Sequence, residues 1–121
     1  MTRRLLTTLL FPTLLAIAAP PALSRPVAMT DADATRFFHA QGCKTCHARD
    51  ELRIGPSYAM IATRYPNATP ETVERLRLKV LYGGAGAWGT TPMISHPDVS
   101  VAEAEAVLRW ILAAGAEASK K

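Results

Sequence analysis

The chain has 121 residues, 49% of them hydrophobic, and a formal net charge of +4. That length allows one domain at most. Two of the 14 basic residues lie in a predicted N-terminal signal, so the remaining 12 face 10 acidic residues, and a net charge of +2 excludes the strongly basic face of a nucleic-acid-binding domain.

The N-terminus has the features of a secretory signal. Two arginines precede an apolar run over residues 5–19, and a small-x-small pattern typical of a cleavage site follows at 22–24. The run is shorter than the roughly 20 apolar residues that a membrane-spanning helix needs. We therefore predict a cleaved signal peptide at 1–24 and a mature domain at 25–121 that is exported to the periplasm, soluble and without stable membrane insertion.

Capping residues predict the helices of the mature domain. A serine or threonine precedes each of four helical segments, and in the first and last an acidic residue three positions later completes a capping box. The predicted helices are 31–41, 58–64, 70–82 and 101 to about 115. Residues 83–99 contain four glycines and two prolines and are predicted to be an irregular loop. Without sustained period-2 alternation, the predicted fold class is all-α, with four to five short helices.

The stretch GCKTCHARD, which follows the first helix, contains the only two cysteines of the chain. If Cys43 to His47 form one helical turn, Cys43, Cys46 and His47 lie at positions i, i+3 and i+4 and share a face. Two thiols on that face can form thioether bonds to the two vinyl groups of a haem, which leaves the imidazole placed to ligate the iron. C-x-x-C-H is accordingly read as a c-type haem attachment site.

Three other readings of the cysteine pair are weaker. A disulfide between residues three apart closes a very small loop and stabilises little through chain entropy. A thioredoxin-like pair needs a preceding strand and helix, for which residues 25–42 are too few. A structural zinc site needs four ligands, and beyond the cysteines and His47 the sequence offers only His39 and His96.

A second axial ligand decides the function class, because an iron with one protein ligand binds gases or peroxide, whereas a second strong ligand closes the site for electron transfer. The candidates are Met29, His39, Met60, Met93 and His96. Met60 follows His47 too closely for the chain to pass round a haem. Met93 is favoured, because two predicted helices precede it and its glycine-rich loop can approach a ring closely. His96 remains a competitor.

The order of four motifs resembles the class I c-type cytochromes, above all the small bacterial single-haem members with histidine and methionine ligation. The motifs are CKTCH, the pair Gly55 and Pro56, YGGAGAWGTTPM, and a last helix that contains AVLRWIL. They extend over essentially the whole mature chain. The resemblance implies the class I cytochrome c fold, with short helices wrapped around one covalently attached haem c.

The resemblance also implies a set of haem-binding residues: Cys43, Cys46, His47, Pro56, Trp88 and Met93. The cysteines would form the thioethers, and His47 and Met93 would be the proximal and distal metal ligands. The Pro56 carbonyl would accept the Nδ1 proton of the imidazole, and Trp88 would hydrogen-bond a haem propionate.

Two further features concern the scaffold and the loop beyond Met93. Phe38, Gly42 and Trp110 match the family's contact between the first and last helices, where glycine would permit close approach. Family members commonly have prolines directly after the distal methionine, whereas here residues 94–96 intervene before the next proline.

The function implied by the resemblance is one-electron transfer between redox protein partners by a monomer that is not an enzyme and has no catalytic residues. Alternatives are a cytochrome subunit of a periplasmic dehydrogenase, a peroxidase-like haem protein and a gas-binding haem protein. Lys44, Arg49 and Arg53 flank the attachment turn, and they either favour acidic partners or form an ordinary solvated face.

Overall fold

The structure, a computed structural model, describes residues 28–118, so the predicted signal peptide lies outside the described residues. The described residues form four α-helices, one 3-10 turn and a two-stranded sheet. The elements are α1 (Asp31–Ala40), the 3-10 turn (Cys43–Thr45), α2 (Tyr58–Arg64), α3 (Pro70–Tyr82), β1 (Gly84–Gly86), β2 (Gly89–Met93) and α4 (Val101–Ala118). Among these helices none is both long and apolar enough to cross a membrane.

The first and last helices begin with the predicted capping boxes. The Asp33 N–H donates to Thr30 Oγ1 at 3.1 Å, and the Thr30 N–H donates to the Asp33 carboxylate at 3.2 Å. The same exchange joins Ser100 and Glu103, at 3.2 and 2.9 Å. Each box gives a hydrogen-bond acceptor to two backbone N–H groups that the start of a helix would otherwise leave unpaired. All four predicted helix starts are confirmed.

The predicted loop at 83–99 contains a short antiparallel hairpin. Gly84 pairs with Met93 and Gly86 with Gly89, with an irregularity between them, and Ala87 and Trp88 form the turn. Sequence periodicity could not reveal these strands, because β1 is exposed throughout and consists largely of glycine, so no apolar side chains alternate along it. The fold remains mostly helical, as predicted, with a small sheet added.

The last helix is longer than predicted. It continues to Ala118 instead of ending near Gly115. A glycine inside a helix costs only about 1 kcal/mol relative to alanine, and strong helix formers surround this one. The prediction that Gly115 ends the helix was therefore wrong.

The core lies where α1, α2 and α4 meet. Phe38 of α1 stacks on Tyr58 of α2 with 4.3 Å between ring centroids, and it meets Trp110 of α4 edge-on at 5.6 Å. The Trp110 indole N–H donates to the Asp31 carboxylate at 2.9 Å, which joins the last helix to the start of the first. Such aromatic pairs contribute about 0.5–1.5 kcal/mol beyond the area that they bury.

Gly42 does not serve the close approach of the first and last helices that the resemblance implied. Its φ angle is +68°, and a Cβ atom placed there would meet nothing within 4 Å among the described residues. Glycine is therefore suited to this position because it adopts the left-handed conformation that turns the chain from α1 into the attachment turn.

Helix α3 buries none of its side chains fully. Its apolar stripe includes Leu76 and Val80, which are half-buried and line a cavity instead of the helical core. The third helix and the hairpin that follows it thus form one side of the candidate site.

Candidate functional site

The candidate site is a cavity of 390 Å³ lined by the attachment turn, all four helices and the hairpin. Ligand pockets typically have volumes of about 300–1,000 Å³. All the residues that the sequence predicts to bind haem line this cavity, namely Cys43, Cys46, His47, Pro56, Trp88 and Met93. Positions distant in the chain are therefore brought to one site.

The attachment turn has the predicted helical form. The Cys46 and His47 N–H groups both donate to the Cys43 carbonyl, at 3.2 and 2.9 Å. Both cysteines are free thiols and half-buried, and burial raises the pKa of the Cys43 thiol. The turn thus presents two unbridged thiols and an imidazole to the same cavity.

The His47 imidazole is held on several sides. Its Nδ1 lies 2.6 Å from the carbonyl oxygen of buried Pro56. A carbonyl can only accept a hydrogen bond, so Nδ1 carries a proton, and Nε2 is the ring nitrogen left for a metal. The Tyr58 ring stacks nearly parallel to the imidazole, with 6.0 Å between ring centroids.

Gly55 completes the surroundings of the imidazole. A Cβ atom at this position would lie 2.6 Å from His47 Cε1, so any larger residue would displace the ring. Sequence reasoning noted Gly55 as part of a motif but did not identify this close approach. The adjacent Pro56 by itself indicates only a turn, and its contact with His47 was implied by the resemblance alone.

The candidates for the distal ligand occupy different places. Met93 and His96 are half-buried and line the cavity. Met60 is 37% exposed on α2, His39 is exposed on α1, and Met29 packs against the helical core.

The Met93 segment is packed closely against the end of α3. Gly83 follows that helix with a φ angle of +72°, and a Cβ atom there would overlap the Met93 carbonyl oxygen and lie 2.8 Å from the Ile94 carbonyl carbon. Glycine is therefore required at position 83 for both its conformation and its size. His96 donates its backbone N–H to the Leu81 carbonyl at 3.1 Å, and its Nδ1 lies 3.2 Å from the Val80 carbonyl.

Trp88 lies at the tip of the hairpin and is 38% exposed. The Arg64 guanidinium sits over its ring, 4.5 Å from the centroid, which is a cation–π arrangement. Arg75 and Lys79 of α3 also line the cavity. Sequence reasoning missed these cations, although their i, i+4 spacing beside the apolar stripe of α3 was a possible signal.

The cavity suits a flat apolar group with a metal at its centre. Leu76, Val80, Val107 and Leu108 give it apolar walls. Two cysteine thiols attach a c-type haem to its chain, and an imidazole and a thioether are the iron ligands of cytochromes c. Among the described residues no cluster of three or more Cys, His, Asp or Glu side chains is arranged to hold a bare metal ion. The residues present therefore fit a covalently attached haem.

Comparison with known proteins gives an independent result. No protein-family model matches the chain. Cytochrome c-551 of Azotobacter vinelandii is 36% identical over 76 residues, which cover 63% of this chain and 90% of that protein. Cytochrome c-552 of Hydrogenobacter thermophilus is 38% identical over 72 residues, which cover 60% of this chain and 71% of that protein.

The fold is also similar to that of a solved cytochrome. The crystal structure of Nitrosomonas europaea cytochrome c552 superposes with a TM-score of 0.60 and 32% sequence identity, and the match covers 69% of this chain and 98% of that one. The cavity, its donor set and these relatives lead to one conclusion. The chain belongs to the class I c-type cytochromes, which carry covalently attached haem c and transfer electrons instead of converting a substrate.

Proposed function

We propose that this cytochrome is a soluble periplasmic one-electron carrier whose haem iron is ligated by His47 and Met93. The observation that carries the proposal is that Met93 lines the same cavity as His47, a place that it shares among the candidate ligands only with His96, whereas Met60 and His39 are exposed elsewhere. Removal of residues 1–24 after export is part of the proposal.

Each residue of the site has a defined task in this function. The bound haem c supplies the one-electron chemistry, since its iron alternates between the ferrous and ferric states. Cys43 and Cys46 attach the ring covalently, so it is not lost between encounters with partners. The Pro56 carbonyl fixes the orientation of His47 and increases its basicity as a ligand. The Met93 thioether would hold the iron, raise its potential and exclude gases and peroxide.

The hairpin and α3 supply groups for the haem propionates. We propose that Trp88 donates its indole N–H to one propionate and that Arg75 and Lys79 supply compensating positive charge. All three side chains line the cavity. Charge-assisted hydrogen bonds of this kind are roughly twice as strong as neutral ones.

Partner contact is proposed at the edge of the cavity. Ile54 and Ile94 line the cavity and are 64% and 68% exposed, so they offer a small apolar surface beside the haem. Electron-transfer encounters are typically small, below about 1,200 Å² of total buried area. Such a surface supports brief docking, by which a monomer exchanges electrons with one redox protein and then another.

Replacing Met93 with alanine tests the proposed ligation. The oxidised wild-type protein should show the long-wavelength absorption band of sulfur bound to ferric iron. Met93→Ala should lose that band, bind carbon monoxide rapidly when reduced, and have a much lower potential, because a weaker ligand or water replaces the thioether. Optical titration with a redox mediator measures the band and the potential, and the spectrum of the reduced protein under carbon monoxide measures the gas binding.

Met60→Ala is the matched control, because this exposed methionine lies outside the cavity lining. It should retain the band and the wild-type potential. An unchanged spectrum in Met93→Ala would refute the assignment. Rapid carbon monoxide binding by the reduced wild-type protein at neutral pH would favour a gas-binding haem protein instead of an electron carrier.

A further inference from the structure

The segment that follows Met93 is fastened to the end of α3 by His96. Upstream, Met93 is paired with Gly84 in the hairpin. Downstream, the side chains of Ile94 and Ser95 are exposed, and their packing does not hold the segment. The next contacts are those of His96, which is half-buried and bonded to α3 through both its backbone and its ring.

These two bonds satisfy carbonyl groups that a helix end leaves without partners. The last four carbonyls of an α-helix have no intrahelical donor. At the end of α3 the Lys79 carbonyl accepts from the Gly83 N–H at 2.9 Å. His96 supplies the next two donors, its ring Nδ1–H to Val80 at 3.2 Å and its backbone N–H to Leu81 at 3.1 Å. The single residue His96 therefore caps two successive carbonyls, at the helix end where donors are most favourable.

The geometry points to His96 as a positioning residue that holds the Met93 thioether in the cavity by capping the C-terminal end of α3. The inference rests on the proposed ligation by Met93. Gly83 supports the same arrangement, because its missing side chain lets the backbone of residues 93–95 lie directly against the helix end. In this inference His96 acts through the backbone of the Met93 segment, and the role of iron ligand stays with Met93, as proposed above.

Three substitutions at position 96 separate the hydrogen bond from the ring Nδ1 to the Val80 carbonyl from other effects of the side chain. His96→Ala removes the Nδ1 donor. His96→Asn places an amide N–H near the position of Nδ1 and should restore the bond to Val80. His96→Gln carries its amide one bond further out, near the position of Nε2, and should not. His39→Ala is the matched control, because His39 is exposed on α1 and its Nε2 is bonded to Lys44 Nζ at 3.0 Å.

The measurement is the affinity of added imidazole for the ferric protein, since imidazole must displace Met93 to bind. Loss of one hydrogen bond of ordinary strength should raise this affinity about tenfold in His96→Ala and His96→Gln. On heating, the sulfur-to-iron band of these two variants should weaken at a lower temperature than the band of the wild-type protein does. His96→Asn and His39→Ala should remain near the wild-type affinity. Wild-type affinity in His96→Ala, or an equal increase in His96→Asn, would overturn the inference.

Two further observations keep this test independent of folding and of the proposed ligation. Nitrogen NMR of the wild-type protein should show His96 with its proton on Nδ1, and a proton on Nε2 alone would overturn the inference even if no variant folds. If the wild-type protein lacks the sulfur-to-iron band, the proposed Met93 ligation fails first. If the band is present and unaffected by His96→Ala, only the role of His96 fails.

Discussion

At the scale of single residues, backbone groups and missing side chains position the site. His47 is oriented by the carbonyl of Pro56, and Gly55 leaves room for its ring. The Met93 side of the cavity repeats this pattern, since backbone carbonyls hold His96 and Gly83 leaves room for the Met93 segment. Positions 55 and 83 thus need glycine because the His47 ring and the backbone of the Met93 segment lie directly against them.

Gly55→Ala should disturb the proximal side of the site. Its Cβ would lie 2.6 Å from His47 Cε1, so the ring must move away from the Pro56 carbonyl. Overpacking of this kind costs about 1–3 kcal/mol. Denaturant unfolding of the haem-containing protein should show that loss, and NMR of the His47 ring protons should show the displaced imidazole.

Pro56→Ala provides the comparison, because it keeps the carbonyl that accepts the hydrogen bond. The ring signals of His47 should stay near their wild-type positions in this variant. An undisturbed ring in Gly55→Ala would mean that the loop yields more easily than the close contact indicates.

At the scale of elements, the sequence predicted structures whose residues lie within one helical turn, but it did not predict contacts between distant residues. The boxes at Thr30 and Ser100 were predictable because both partners lie within one turn. The attachment turn was predictable for the same reason. The bond from His96 to Val80 joins residues 16 apart, and the sequence contains no local pattern for it. The hairpin was missed because glycine-rich strands show no alternation of apolar side chains.

The capping box of α4 should make stability depend on pH. The Ser100 hydroxyl and backbone N–H lower the pKa of the Glu103 carboxyl below its ordinary value of 4.5. A lowered pKa in the folded state means that the ionised carboxylate stabilises the fold above its ordinary pKa. That contribution is lost as the pH falls from about 4.5 through the lower folded value.

Glu103→Gln should therefore be less stable than the wild type at neutral pH, and the difference should shrink as the pH falls below 4.5. Thermal unfolding between pH 7 and 3 measures it. Ser100→Ala should weaken the same dependence without abolishing it, because the backbone N–H still donates to the carboxylate. A difference that grows toward acid pH would contradict the assignment.

At the scale of the whole molecule, we expect the fold to depend on the group that it binds. The described residues form a small domain, and a domain of this size buries only about 60–65% of its unfolded surface. Part of its apolar surface, including the stripe of α3, lines the cavity instead of the protein core. The fold class could be predicted from motif order and the four helix starts from their capping residues, whereas the surfaces that line the cavity are a property of the assembled fold.

Replacing Cys43 and Cys46 together by alanine should abolish covalent haem and leave the chain largely unfolded. Circular dichroism and haem staining of a denaturing gel measure both effects. Arg49→Ala, at an exposed position just beyond the attachment motif, should leave both unchanged. A folded, haem-free double variant would show that the helices can close the cavity by themselves.

The hydrogen bond between Trp110 and Asp31 has a consequence for how the molecule is made. These residues are 79 positions apart, so a chain that emerges from its N-terminus cannot complete the contact until α4 has also been released. Contacts between such distant positions require closure of a long loop, which slows folding. The first helix can therefore dock against the last only after the whole domain has been released, and the cavity that all four helices line closes with that contact.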